Sequence, residues 1–280
     1  MNQKALFDEV SISCSRKTTH AYSTSFSLGI RTLGKQYRDP VYAVYGFVRF
    51  ADEIVDTFHD FDKATLMARF REDTVRAIED KISLNPILNS FQKAYHQFNF
   101  DWELVDTFLK SMEMDLDKNA YDRYGYETYI LGSAEVVGLM CLKVFTSGDH
   151  VEYERLKPYA MRLGAAFQKI NFLRDIKADY ETLGRAYFPE LDLRNFDEAT
   201  KRKIEDEIAE DFQEAYKGIL MLDKDARFGV YMAYTYYVRL FQKIKALPSN
   251  RIMEERIRIP NQKKFALMLK SYVQHNLNML

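Results

Sequence analysis

Residues 163–179 read LGAAFQKINFLRDIKAD, a run without proline in which polar residues recur every three or four positions. On an α-helix this spacing places them on one face. The face passes from small and apolar residues to acidic ones, in the order Met161, Gly164, Gln168, Asn171, Asp175 and Asp179. The stretch therefore predicts a helix with one stripe that is apolar at its start and acidic at its end.

Residues 41–56, VYAVYGFVRFADEIVD, show the same gradient. Asp52 and Asp56 are four residues apart, and Arg49 lies one turn before them on the same face. Upstream on that face are Val48, Tyr45 and Val41. Because both stripes have the same polarity, we expect two roughly parallel helices that place a carboxylate rim above an apolar pocket.

The rest of the chain also has helical periodicity. Glycine and proline number only 11 and 6 among 280 residues, and β-strand alternation is hard to find. We predict an all-α fold of about ten helices, in a single domain over residues 1–280. Helix starts are expected at Pro40, Asp62, Pro86, Asp101, Pro158, Asp197 and Pro260. Breaks are expected near Gly34, Asn85, Asn99, Gly125, Gly148, Gly184 and Pro248.

Composition favours a small-molecule partner over nucleic acid. The chain has 40 basic and 41 acidic residues and a formal net charge of −1. Its two cysteines, Cys14 and Cys141, form no metal-ligand spacing and suit a reducing compartment. The N-terminus lacks a secretory pattern, and neither the last eleven residues nor any other run reads as a membrane span. We expect a cytoplasmic protein, with transient peripheral contact with a membrane left open.

Paired carboxylates of this kind suit magnesium, which takes carboxylate, water and phosphate oxygens as ligands. For Asp52 and Asp56 alone, an exposed acidic helix face would be the simpler interpretation, but two stripes with the same gradient favour a metal site. The five histidines form no zinc spacing, and the sequence contains no P-loop, GxGxxG or GxSxG motif.

Residues 163–189, LGAAFQKINFLRDIKADYETLGRAYFP, closely resemble the second signature of the squalene and phytoene synthase family. Residues 49–56 are similar to the first aspartate motif of that family, and residues 22–26 also match. The resemblance runs from about residue 15 to the basic segment near Arg258, essentially the whole chain. Residues 129–138 match less well, because Ile130 and Glu135 stand where small residues are usual. We expect these two departures to alter the lining of the cavity.

The resemblance implies an all-α isoprenoid-synthase bundle around a deep apolar cavity, and a Mg²⁺-dependent head-to-head prenyltransferase, with Mn²⁺ as an alternative ion. The implied metal ligands are Asp52, Asp56, Asn171, Asp175 and Asp179. The implied catalytic residues are the four aspartates and Tyr129. The implied substrate contacts are Ser23, Phe26, Tyr45, Arg49, Gln168, Asn171, Arg174, Tyr237 and Arg256.

Within that set the arginines suit diphosphate oxygens, which their planar forks bind bidentately. Tyr45, Tyr129 and Tyr237 are candidates to stabilise carbocations through their ring faces. Core packing with a satisfied hydroxyl is the alternative for each tyrosine, and a solvated basic surface is the alternative for Arg256.

The expected reaction joins two geranylgeranyl diphosphates to phytoene and needs no nicotinamide cofactor. The main alternative is squalene or dehydrosqualene synthesis from farnesyl diphosphate, and squalene formation would require NADPH. A non-catalytic relative that acts in assembly and a cyclising terpene synthase are further alternatives. The retained aspartates argue against the first, and the signature at residues 168–189 argues against the second.

Overall fold

The computed structural model describes residues 2–117, 120–189, 196–254 and 257, and these residues confirm the all-α class. They form twelve α-helices and no β-strand apart from an isolated bridge between Ala120 and Ala186. In chain order the helices are α1 (Gln3–Tyr22), α2 (Thr24–Thr32), α3 (Lys35–Asp56), α4 (Lys63–Asp80), α5 (Pro86–Gln97), α6 (Trp102–Asp117), α7 (Arg123–Ile130), α8 (Val136–Phe145), α9 (His150–Leu183), α10 (Glu198–Met221), α11 (Lys224–Lys245) and α12 (Ser249–Ile252). A π-helical segment, Leu131–Glu135, joins α7 to α8.

Four of the predicted helix starts are confirmed. Asp62 and Asp197 are the N-caps of α4 and α10, and each side chain accepts a hydrogen bond from a backbone amide three residues on. Pro86 is the first residue of α5, after the N-cap Asn85. Asp101 directly precedes α6.

Two predicted starts, at Pro40 and Pro158, are wrong because both prolines lie inside long helices. α9 begins at His150, where the N-cap Asp149 accepts hydrogen bonds from two amides. A proline removes one backbone hydrogen bond, a local loss that extensive packing of a 22- or 34-residue helix outweighs. The break predicted near Gly125 lies slightly earlier, between Asp117 and Arg123, and Gly125 is in the first turn of α7, where its amide donates to the N-cap Asp122. Pro260 lies outside the described residues.

The π-helical segment is held between two neighbouring helices by close backbone approach. A Cβ on Gly132 would lie 2.7 Å from the Thr107 carbonyl oxygen of α6, and a Cβ on Gly164 of α9 would lie 2.7 Å from the Ala134 carbonyl oxygen. Only glycine permits contacts this close. α6, the π-helical segment and α9 are therefore fixed relative to one another, and all three contribute to the site described below.

The stretch Arg123–Phe145, which contains α7 and α8, is long and apolar enough to cross a membrane by length and composition alone, with a mean hydropathy of 1.5 over its most apolar window. Half of that window is buried inside the bundle, where α8 packs against α3, α6 and α9. Packing within the fold thus accounts for its apolar composition.

Candidate functional site

The bundle encloses an apolar cavity of about 320 Å³ between α2, α3, α8, α9, α10 and α11. Both predicted stripes face it: α3 contributes Val41, Tyr45 and Val48, and α9 contributes Gly164 and Gln168 among others. Aromatic side chains line the cavity next to Tyr45 and Gln168 of these stripes, and we call this part of the cavity the neck. The expectation of an apolar pocket between the two helices is confirmed.

Four aromatic rings form the neck. Phe26 of α2 lies 5.8 Å from Tyr45 and 6.2 Å from Tyr237, measured between ring centroids. Tyr237 of α11 stacks on Phe167 of α9 at 3.9 Å. All four residues line the cavity. The neck is therefore an aromatic part of the cavity wall, and aromatic rings can stabilise a nearby cation.

Polar side chains sit at the same level as the rings. The Tyr237 hydroxyl donates to Asn171 Oδ1 at 3.2 Å, and Asn171 Nδ2 donates to Gln168 Oε1 at 3.5 Å. Ser23 caps α2 by accepting from the Phe26 amide, and it also hydrogen-bonds the Tyr45 hydroxyl. The cavity is thus apolar in its depth and hydrogen-bonding at its neck.

Above the neck, the end of α3 carries the first acidic group. Asp52 and Glu53 both pair with Arg49, whose guanidinium also lies 4.3 Å above the Tyr22 ring. Burial raises the pKa of Asp52 to about 7, with neighbouring Asp56 adding to the rise and Arg49 opposing it. One guanidinium is therefore shared between carboxylates that repel one another.

The last turns of α9 carry the second acidic group. Arg174 binds both carboxylate oxygens of Asp175, with Nη2 at 2.5 Å from Oδ2. Burial raises the pKa of Asp179 to about 7, and the charges of Asp175 and Asp56 add to the rise. Because Asp56 of α3 contributes to this shift, the two acidic groups share one electrostatic site.

Arg185 joins the two acidic groups physically. It follows Gly184, which ends α9 with φ +67°, and its own amide donates to the Asp179 carbonyl oxygen at 2.9 Å. Its guanidinium donates to Asp56 Oδ1 at 2.6 Å and to the Val55 carbonyl oxygen at 3.2 Å. The side chain is only 5% exposed. Arg185 thus connects the acidic end of α9 to the acidic end of α3.

A buried cluster around Asp115 lies next to Arg185. The Asp115 carboxylate accepts from Tyr121 at 2.9 Å and from Tyr129 at 2.7 Å, and its Oδ2 lies 3.5 Å from Arg185 Nη1. Burial raises the pKa of Asp115 to about 6, while Arg185 and the Tyr129 hydrogen bond lower it. Burial also raises the pKa of Tyr129 well above its ordinary value. This phenol therefore stays protonated and donates a hydrogen bond to Asp115.

Asp115 lies outside the sequence motifs, and Arg185 belongs to the second signature but has no predicted role in the site. A signal for Asp115 was present, because Leu104, Phe108, Ser111 and Asp115 are spaced by four, three and four residues and are all buried on α6. This is a third stripe that passes from apolar to acidic. Arg185 stands in a loop after α9, where helical periodicity gives no information.

The structure brings together most of the sequence-derived site residues. The four aspartates, Arg49 and Arg174 lie at the rim, and Phe26, Tyr45, Gln168, Asn171 and Tyr237 lie at the neck. Tyr129 is 4% exposed and packs beneath the rim against Phe172 and Tyr187 rather than on the cavity wall. Arg256 lies outside the described residues.

The expectation that Ile130 and Glu135 alter the cavity lining is wrong. Neither residue lines the cavity, although Ser133 and Ala134 between them do. Burial and the charge of Asp211 raise the pKa of Glu135 to about 7, with Lys169 lowering it. Glu135 therefore belongs to a charged cluster between α9 and α10, because the π-helical turn directs it away from the cavity.

The side chains of the rim are of the chemical type that binds a divalent cation. Asp52, Asp56, Asp175 and Asp179 supply hard oxygen donors, and burial and neighbouring carboxylates raise the pKa values of Asp52 and Asp179. Within the described ranges, no three such side chains are yet arranged to hold a metal ion. Arg49 and Arg174 occupy carboxylate oxygens that a cation would take, so metal binding requires those side chains to move.

These carboxyls predict how the stability of the metal-free protein depends on pH. An aspartate has a pKa of about 4 in an unfolded chain, whereas Asp52 and Asp179 have values of about 7 in the folded one. The folded chain therefore binds more protons in this window, and their contribution to stability falls as the pH rises from about 4 to about 7. Cations bind the ionised form, so we expect Mg²⁺ with inorganic diphosphate to raise Tm more at about pH 8 than at about pH 5.5.

Differential scanning calorimetry measures this effect. The Asp52→Asn/Asp179→Asn double variant should lose the pH-dependent part of the Mg²⁺ response, whereas Asp60→Asn, an exposed aspartate just beyond α3, should keep it. Equal Mg²⁺ responses of the wild-type protein at the two pH values would contradict the prediction.

Comparisons with known proteins identify the family of this chain. The 4,4'-diapophytoene synthase of Staphylococcus haemolyticus is 27% identical over 199 residues, which cover 68% of this chain and 67% of that protein. The phytoene synthase of Arthrospira platensis is 25% identical over 274 residues, with coverage of 89% and 88%. A dehydrosqualene synthase solved with a ligand has the same fold, with a TM-score of 0.81 at 20% identity over 98% of each chain. The family model for squalene/phytoene synthase matches residues 19–263, and the chain therefore belongs to the squalene/phytoene synthase family.

Proposed function

We propose that this chain joins two geranylgeranyl diphosphates head to head to give phytoene in carotenoid biosynthesis, as a cytoplasmic, single-domain enzyme. Members of the family are prenyltransferase-type enzymes, and the phytoene synthase relative supports the C20 substrate. The observation that carries the proposal is the length of the apolar cavity beneath the acidic rim.

Below the neck, the α9 residues that line the cavity run from Gln168 to Leu156, and this span gives a measure of its length. Twelve residues separate the two positions, about 18 Å at a rise of about 1.5 Å per residue. An extended chain covers about 3.5 Å per three bonds, so the main chain of a geranylgeranyl group covers roughly 18 Å and that of a farnesyl group roughly 13 Å. This comparison supports the longer chain as the proposed substrate.

The rim would hold the diphosphates. Asp52, Asp56, Asn171, Asp175 and Asp179 are the residues that would hold Mg²⁺, which when bound supplies Lewis-acid stabilisation of the leaving diphosphate. Arg49 and Arg174, once released from their carboxylates, offer planar donors to phosphate oxygens. The rim thus provides charge balance for two anionic head groups.

The neck and the cavity would control the carbon chemistry. The C–O bond of the first substrate breaks with its electron pair leaving on diphosphate, the double bond of the second substrate attacks the allylic cation, and loss of a proton closes a cyclopropyl diphosphate. A second C–O cleavage, rearrangement and proton loss then give the linear hydrocarbon without a reductant. Phe26, Tyr45, Phe167 and Tyr237 exclude water from these cations and stabilise them through their ring faces.

Product analysis tests the proposal. The purified protein is incubated with Mg²⁺ and either geranylgeranyl or farnesyl diphosphate, with and without NADPH, and the extracted hydrocarbon is identified. A C40 hydrocarbon with the phytoene triene absorbance, formed without NADPH, is the expected result. If neither substrate gives a hydrocarbon, the proposal is overturned and the non-catalytic interpretation is favoured instead.

Synthesis of a C30 product from farnesyl diphosphate is the second candidate. It is favoured by the 27% identity to a 4,4'-diapophytoene synthase and by the fold likeness to a dehydrosqualene synthase. A C30 product with no C40 product in the same assay would select it, and dependence on NADPH would distinguish squalene from dehydrosqualene.

Narrowing the cavity should shift the substrate preference towards the shorter chain. Ala160 lines the cavity eight residues from Gln168, about 12 Å along α9. In Ala160→Phe the added ring would block the cavity beyond about 12 Å, a part that the longer chain needs for about 6 Å of its length and the shorter one for only about 1 Å. We expect kcat/KM for geranylgeranyl diphosphate to fall at least about tenfold relative to farnesyl diphosphate, equivalent to about 1.4 kcal/mol of discrimination.

Ala68→Phe, at an exposed position of α4, is the matched control and should leave the ratio unchanged. An unchanged ratio in Ala160→Phe, in a variant that melts like the wild type, would show that the substrate does not extend along α9.

A further inference from the structure

The buried carboxylate of Asp115 lies outside the cavity wall and outside the aspartate motifs, yet its partner Arg185 binds the rim carboxylate Asp56. It is 8% exposed near the C-terminal end of α6. Its Oδ1 accepts from Tyr121, and its Oδ2 accepts from Tyr129 and lies 3.5 Å from Arg185 Nη1. A buried carboxylate with donors on both oxygens is held in one orientation, and it holds its donors in turn.

The cluster leads in two directions. Through Arg185 it reaches Asp56, because the same Nη1 that lies beside Asp115 donates to Asp56 Oδ1 at 2.6 Å. The backbone takes part as well, since Arg185 Nη2 donates to the Asp115 carbonyl oxygen at 3.0 Å. Asp115 therefore helps to fix the guanidinium that binds a rim carboxylate.

The second direction leads to Tyr129. This residue lies in α7 just before the π-helical segment whose Ser133 lines the cavity, and its ring packs against Phe172 and Tyr187. The hydroxyl of Tyr129 is committed as a donor to Asp115. The hydrogen bond to Asp115 and the packing against Phe172 and Tyr187 together fix the place of the Tyr129 phenol.

We infer that Asp115 is a positioning residue that fixes the orientation of the Tyr129 phenol beside the acidic rim and keeps Arg185 on Asp56. The inference rests on the proposed function for its effect on catalysis, but not for the hydrogen bond itself. Asp115 touches no substrate and acts through the tyrosine and the arginine.

A double-mutant cycle tests the inference. Asp115→Leu has a similar shape but no acceptor, and Tyr129→Phe lacks the donor. If Asp115 acts through Tyr129, each single variant lowers kcat at least about tenfold, with little change in KM. The kcat of the double variant is then no lower than that of the less active single variant. Losses that multiply in the double variant, or full activity in Tyr129→Phe, would overturn the inference.

Asp115→Asn keeps the cycle decisive if the leucine variant folds poorly. Its amide oxygen can accept from Tyr129 and Arg185, while its NH₂ can donate to the Tyr121 hydroxyl. We expect this variant to stay within about threefold of wild-type kcat, a rescue that loss of packing alone would not produce. A loss as large as that of Asp115→Leu would contradict the positioning role. Ser111→Ala, a buried polar deletion one turn earlier on α6, is the control for stability and should keep wild-type kcat.

A readout that needs no turnover separates this inference from the proposed function. In protein labelled at tyrosine ¹³Cζ, the Tyr129 resonance, assigned by its absence in Tyr129→Phe, should shift in Asp115→Leu and stay in place in Asp115→Asn. If no prenyl diphosphate is converted by the wild type but the resonance behaves in this way, the proposed function fails and the positioning contact stands. An unmoved resonance in Asp115→Leu would overturn the contact whatever the activity.

Discussion

Asp175→Asn should lower kcat/KM for prenyl diphosphates by about a thousandfold, because loss of a metal-ligand carboxylate removes several kcal/mol of stabilisation of the leaving diphosphate. The substitution keeps the shape of the side chain and removes its charge. Arg174, which binds both Asp175 oxygens, loses its ionic partner at the same time. Raising the Mg²⁺ concentration should restore part of the activity, because the remaining rim carboxylates still bind the cation more weakly.

Steady-state product formation over a range of Mg²⁺ concentrations measures this effect. Asp60→Asn is the matched control, since Asp60 continues the four-residue spacing of Asp52 and Asp56 but is exposed beyond the end of α3. If Asp175→Asn keeps activity within about threefold of wild type and has an unchanged Mg²⁺ requirement, Asp175 of the acidic rim does not bind the catalytic metal.

Arg185→Met should have the largest effect on stability. The guanidinium is 5% exposed and donates to Asp56, to two backbone carbonyls and to Tyr187. Removing it leaves the neighbouring carboxylates without a buried cation, a loss of about 3 to 5 kcal/mol in the free energy of unfolding. Because the same contacts join the acidic ends of α3 and α9, the remaining folded protein should also bind Mg²⁺ and diphosphate weakly.

Urea unfolding and calorimetric titration of Mg²⁺ with inorganic diphosphate measure the two effects. Arg185→Lys keeps the charge but cannot reach all the acceptors. Its stability and its affinity for Mg²⁺ and diphosphate should therefore lie between those of Arg185→Met and wild type. Arg239→Met, on the exposed face of α11, should change neither quantity. An Arg185→Met variant as stable as wild type would show that the cluster does not hold the two helix ends together.

The regular parts of the fold were predictable because they depend on local spacing. The stripes of α3 and α9 correctly predicted that Val41, Tyr45, Gly164 and Gln168 face the cavity, since a helix of known pitch fixes which residues share a face. Helix starts with a capping side chain, such as Asp62 and Asp197, were also predictable. Pro40 and Pro158 misled because helices tolerate a proline where tertiary packing outweighs one missing hydrogen bond.

The connections within the site were not predictable from spacing. Arg185 meets Asp56 across 129 residues of sequence, and Tyr129 meets Asp115 through a contact between α7 and α6. Such pairings depend on how helices pack, which periodicity leaves undetermined. The direction of Glu135 was missed for a related reason, because the π-helical turn changes which residues of that segment face the cavity.

The central claim is head-to-head condensation of two prenyl diphosphates in this site, and its stoichiometry tests it most directly. Diphosphate and hydrocarbon are quantified together in a reaction of the purified protein with geranylgeranyl diphosphate and Mg²⁺, without NADPH. Head-to-head condensation predicts two diphosphates released for each C40 hydrocarbon formed. One diphosphate released for each C20 product, as cyclisation or simple hydrolysis would give, would contradict it.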